Sequence, residues 1–203
     1  MDEPGQVSRL GAALGAISSE LERVHRAWAL IGGLAVSARA EPRFTRDIDL
    51  AVAAAHDQDA EAFVRGLVSS GYRVLATLEQ EAASRLATVR LETPGEDPSA
   101  VVVDLLFASS GVEPEIVQEA EVLEVLPGLR VPVARIGHLL ALKALSISPT
   151  RPQDLMDILA LLREAKPADI DQARKTAALI VKRGFGRGRD LVGDLEQHLR
   201  PRT

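Results

Sequence analysis

No cysteine occurs among the 203 residues, which excludes a disulfide framework, a thiolate zinc site, an iron–sulfur cluster and a cysteine nucleophile. Aromatic residues make up only 3% of the chain, with one tryptophan and one tyrosine, too few for a platform that stacks single-stranded bases. No apolar run reaches the roughly 18 residues needed to span a bilayer. The opening Met1-Asp2-Glu3-Pro4-Gly5-Gln6 is acidic and polar, unlike a secretory signal. Positive net charge is missing as well: 24 basic against 29 acidic residues give −5, which argues against a wholly basic nucleic-acid binder. A soluble cytoplasmic protein with no membrane partner is the expectation.

What is present is ordinary for a folded protein. Hydrophobic residues at 46% and charged residues at 26% exclude wholesale disorder. The length suits one large domain, or a core with a helical appendage. Charge is uneven, because residues 182–203 hold six basic and three acidic side chains, leaving −8 over the preceding 181. Leu10, Leu14, Ile17, Leu21 and Val24 recur at three and four residues, predicting an amphipathic helix over 7–26. Strands are predicted at 28–31, 47–52, 72–78, 85–91, 100–107, 122–126 and 129–133, the last two forming a hairpin across Pro127-Gly128. Pro94 to Pro98 supplies a turn. Short helices are expected at 34–40 and 57–69, and after residue 133 only helices, near 135–147, 152–165, 167–182 and 189–199. Gly184 to Gly188 reads as a loose joint. The fold class is therefore α/β (α+β): a mixed, twisted sheet flanked by helices, then a C-terminal helical bundle.

Three features carry chemistry. In a strand Asp47-Ile48-Asp49-Leu50, both carboxylates project from one face while Ile48 and Leu50 enter the core. Side-by-side negative charges repel, and a divalent cation with a preference for oxygen, Mg²⁺ or Mn²⁺, is their natural counter-charge. The plainer alternative is a turn cap beside a solvated strand edge. Second, Val101-Val-Val-Asp104-Leu-Leu-Phe107 sets one carboxylate inside an apolar, β-branched run, where an unpaired charge is costly. A salt bridge to a core arginine or an emerging strand end would explain it; a third ligand for the same cation explains all three aspartates together. Third, Ile31-Gly32-Gly33-Leu34 runs from strand through paired glycines into a helix, whose N-terminal N–H groups suit the phosphates of a nucleotide.

The string Gly32-Gly33-Leu-Ala-Val-Ser-Ala-Arg-Ala-Glu-Pro-Arg43-Phe-Thr45-Arg-Asp47-Ile-Asp49-Leu50 resembles the signature of the DNA polymerase β-type nucleotidyltransferase superfamily. Within it, the Arg43 to Leu50 segment is similar to the AbiEii/MenT-like toxin branch. Leu139-Leu-Ala-Leu-Lys143 and Arg151-Pro-Gln-Asp154-Leu-Met-Asp157 resemble that branch's Leu-Lys and Arg-x-x-Asp-x-x-Asp helices. Many members have Gly-Ser where this chain has Gly32-Gly33, so backbone N–H groups would replace a serine contact to phosphate.

The resemblance implies a catalytic core over 1–133 and a helical region over 134–203 that walls the cleft. It implies transfer of a nucleoside monophosphate from an NTP, with Mg²⁺ or Mn²⁺ held by Asp47, Asp49 and Asp104. Asp104 would also help deprotonate the acceptor. Lys143 would sit near the triphosphate, the alternative being a snorkelling lysine on a solvated helix face. Asp154 or Asp157 would orient Lys143 or Arg151, against a solvated helix start. Gly32, Gly33 and Thr45 would seat the nucleotide, and Arg43 the loop or substrate. The implied partners are an NTP, an acceptor such as a tRNA end or other RNA, and a cognate antitoxin. An aminoglycoside-type small-molecule acceptor and a module that has lost catalysis are the alternatives.

Overall fold

The computed structural model describes residues 4–80, 85–95 and 100–199. The chain runs α1 (Pro4–Arg23), β1 (Trp28–Ile31), α2 (Gly32–Arg39), β2 (Asp47–Val52), α3 (Asp57–Ser69), β3 (Arg73–Gln80), β4 (Arg85–Glu92), β5 (Val102–Leu106), α4 (Glu113–Gln118), β6 (Glu121–Leu126), β7 (Leu129–Val133), α5 (Ile136–Ser146), α6 (Pro152–Glu164), α7 (Pro167–Lys182) and α8 (Leu191–Leu199). The seven strands make one mixed sheet in the order β3-β4-β5-β2-β1-β7-β6. β2 lies antiparallel to β1 and parallel to β5, and β7 joins β1 in parallel.

The alternation in β2 decides its orientation. Ile48 and Leu50 are fully buried among the helices while Asp47 and Asp49 face the other way. α1 buries Leu10, Leu14, Ile17 and Leu21, the spacing that predicts its inner face. It stops short of the expected Arg26 because His25 turns left-handed at φ +52 and Arg26 N–H closes the end on the Leu21 carbonyl. The six-residue α4 is absent from the sequence reading: Pro114 opens it, and too few apolar positions follow to show a period.

After Val133 every described element is helical. α5 is the pillar of this half, with Leu139, Leu140, Ala141 and Ala144 buried; α6 and α7 open on Pro152 and Pro167, whose missing N–H costs a first turn nothing. The α7–α8 connector, expected as a loose joint, is tied at both ends. Arg189 donates to the Leu145 and Ile147 carbonyls and pairs with Asp194, and Phe185 is buried. Asp2, part of the turn up to Pro98, and the basic Arg200 and Arg202 lie outside the described residues.

Candidate active site

The three aspartates meet through strand register. Asp49 on β2 stands opposite Asp104 on β5, and Asp104 stands opposite Arg90 on β4. Asp47, Asp49 and Asp104 line the floor of a cleft of about 620 Å³. Gly32, Gly33 and Thr45 line it too, as do Lys143 from α5, Arg151 and Asp154 from the start of α6, and Arg187 from the α7–α8 connector. Residues of both halves of the chain thus enclose one space.

Backbone and crowding require the first glycine of the pair. Gly32 sits at φ +64, and a Cβ there would collide with the carboxylate of Asp49. A Cβ on Gly33 would lie 2.6 Å from Arg43 Nη2 and 2.8 Å from Thr45 Oγ1. A side chain at position 33 would therefore need the ends of Arg43 and Thr45 to shift. No side chain caps the start of α2, which leaves its first N–H groups open to an anion.

Lys143 is not on a solvated helix face. It is 7% exposed, and its Nζ lies 2.8 Å from Asp154 Oδ1 and 2.7 Å from Asp157 Oδ2. Asp154 and Asp157, at 2% and 1% exposed, do not form a solvated helix start either. Asp157 does not line the cleft: it lies one layer beneath, also pairing with Arg43 Nε at 2.7 Å. Burial of so many charges is tolerable because each is matched. The knot ties the β1–α2–β2 motif, through Arg43, to α5 and α6.

Asp104 takes two hydrogen bonds from Arg90, Nε to Oδ1 at 2.8 Å and Nη2 to Oδ2 at 2.6 Å, and this pairing raises the arginine's pKa. The arginine partner considered for Asp104 therefore exists, though it sits at the cleft, with its side chain 49% exposed. Sequence reasoning missed Arg90 itself, because antiparallel β4–β5 register is a non-local fact. The carboxylates of Asp47 and Asp49 make no hydrogen bond or ion pair with a described residue. Burial first, then the charges of Asp104 and Asp47, push Asp49 up to about 6, against the pull of Lys143 and Arg151.

With Asp104 turned onto Arg90, no three acidic or histidine side chains among the described residues form a finished metal shell. The donor chemistry nevertheless fits a hard cation: two carboxylates on one strand face without a partner among the described residues, one of them with its pKa raised, and a third in register beside them.

The nucleotidyl transferase AbiEii toxin family, of type IV toxin–antitoxin systems, matches residues 19–202. An antigenic nucleotidyltransferase-like protein from Paracoccidioides brasiliensis is similar over 93% of both chains at 16% identity, with a TM-score of 0.56. The antibiotic-resistance factor ANT(2'')-Ia in solution matches 94% of this chain and 97% of its own at 16% identity and TM-score 0.56. The same factor in complex with adenylyl-2''-tobramycin matches 86% and 98% at 17% identity and TM-score 0.53. These likenesses fix the fold. No curated protein sequence matches the chain.

Proposed function

Because the chain belongs to the AbiEii nucleotidyl transferase toxin family, we propose that it transfers a nucleoside monophosphate from an NTP to a hydroxyl of an RNA acceptor, in a divalent-metal-dependent reaction. The observation that carries this reading is the cross-strand row of Asp49 and Asp104, with Asp47 on the same face, directly below the Gly32-Gly33 turn. Asp47 and Asp49 would hold the cation, joined by Asp104 once its oxygens leave Arg90. A bound Mg²⁺ or Mn²⁺ would offset triphosphate charge and acidify the attacking hydroxyl. The α2 N–H groups behind Gly32-Gly33 hold a phosphate oxygen, and Thr45 borders the same seat. The acceptor oxygen bonds to the α-phosphorus as the α–β phosphoanhydride breaks. Pyrophosphate leaves with the bonding pair, and Asp104 takes the hydroxyl proton.

The family's description as a toxin favours an RNA acceptor over an aminoglycoside, while the charges that line the cleft are nearly balanced. Arg43, Arg90, Lys143, Arg151 and Arg187 line it against Asp47, Asp49, Asp104 and Asp154. The family's description as a toxin brings with it a cognate antitoxin as proposed partner. No helix among the described residues is long and apolar enough to cross a membrane.

The test incubates each α-labelled NTP with Mg²⁺ and, separately, total RNA, protein and a panel of aminoglycosides. Label should pass to RNA with the parent chain and not with Asp104→Asn. Transfer to aminoglycosides alone would replace the RNA reading, and no transfer to any acceptor would leave a binding module.

A further inference from the structure

Arg187 is one of two non-glycine residues with positive φ among the described residues, at +55. Such backbone is strained for a long side chain and persists only where its surroundings hold it. Here they do. On one side Phe185 is buried, its ring filling the space that a Cβ on Gly111 would need. On the other, Arg189 hangs from the Leu145 and Ile147 carbonyls at the end of α5. Between these anchors, flanked by Gly186 and Gly188, the connector presents the Arg187 side chain to the cleft wall.

The guanidinium delivered there makes no hydrogen bond or ion pair with a described residue. Its neighbours are cations: although the side chain is exposed, partial desolvation, then Arg151 and Arg189, lower its pKa. The carboxylate nearest to Arg151, that of Asp154, already serves Lys143. Strain and like-charge crowding, both without an internal partner, describe a site built for an anion.

We propose that Arg187 binds the outer phosphates of the nucleoside triphosphate. The assignment rests on the transferase reading and names the residue that receives the leaving pyrophosphate. The residues that share the cleft with Arg187 select this ligand. Asp47 and Asp49, without a partner among the described residues, line the same cleft as Arg151 and Arg187. An NTP seated with its α-phosphate toward those aspartates would carry its trailing β- and γ-phosphate charge to the basic wall. Lys143, whose charge is spent on Asp154 and Asp157, leaves that trailing charge to Arg187.

The experiment titrates the four non-hydrolysable NTP analogues and the matching NMPs, with Mg²⁺, against the parent, Arg187→Asn and Arg187→Lys. Asparagine accepts the left-handed backbone and removes the charge. Arg187→Asn should bind the preferred NTP analogue about tenfold more weakly, the scale of one charge-assisted contact. NMP affinity should stay unchanged, and Arg187→Lys should recover part of the loss. Equal NTP affinity in Arg187→Asn and parent would overturn the assignment, as would an equal loss for NMP and NTP. Intact NTP binding with weakened binding of total RNA would overturn it in favour of the acceptor. A parent that binds no nucleotide would overturn the transferase reading beneath it.

Discussion

Asp49 shows what the site costs the fold. Its pKa is held near 6, above the ordinary 3.8, by burial and by Asp104 and Asp47. Between about pH 4 and 6 the folded chain therefore keeps a proton that the unfolded chain has released. Stability falls as pH rises through that window and stays lower above it. Asparagine keeps the shape and cannot ionise. In metal-free buffer Asp49→Asn should melt about 2–4 °C above the parent at pH 7.5, the shift expected for about 1 kcal/mol in a chain of this size, and level with it near pH 4. Thermal melts across that range check this, and an equal gain at both ends would put the effect in amide packing and not in charge. Arg90 relieves the same congestion by holding Asp104, so the cation and Arg90 compete for one carboxylate.

At the scale of elements, the knot of Arg43, Lys143, Asp154 and Asp157 joins the strand–turn–helix motif to α5 and α6. Removing Asp157 strands Lys143 and Arg43 against a single buried acid. Asp157→Ala should cost about 3–5 kcal/mol of unfolding free energy in urea. Asp171→Ala, which breaks an exposed pair with Arg174, should cost about 0.5 kcal/mol or less; similar costs for the two would mean that the knot is not a buried charge network. The sequence speaks clearly where a residue violates its local pattern: aspartates in a core-facing alternation, Asp104 in an apolar run, glycines between strand and helix. It speaks poorly where partners come from distant segments. Arg90 belongs to Asp104 only through β4–β5 pairing, and Arg187 reaches the cleft only because Arg189 finds two carbonyls of α5. A glycine-rich stretch looks mobile in sequence, and those tethers are what make it fixed.

The whole molecule behaves as one body if the cleft is shared as described. β7 ends at Val133 and α5 starts at Ile136, so no linker separates the proposed catalytic core from the helical region. Ala134 N–H bonds to the Leu30 carbonyl on β1, and Arg39 of α2 donates to the Val133 and Ala134 carbonyls. Arg43 crosses to Asp157, Arg163 to Glu41 and Arg183 to Glu115. The apolar face of α5 has no cover except the rest of the chain, so melting residues 134–199 would expose the core beneath β1. Trp28, the single tryptophan, is buried on β1 in the first half, while about half of the helical residues lie after Val133. Tryptophan fluorescence therefore reports the sheet, and far-ultraviolet circular dichroism reports both halves. Urea unfolding followed by the two signals should give coincident midpoints and slopes. A dichroism transition that loses about half its amplitude while Trp28 stays native would show the helical half unfolding alone, and the cleft would then be a joint between separable parts.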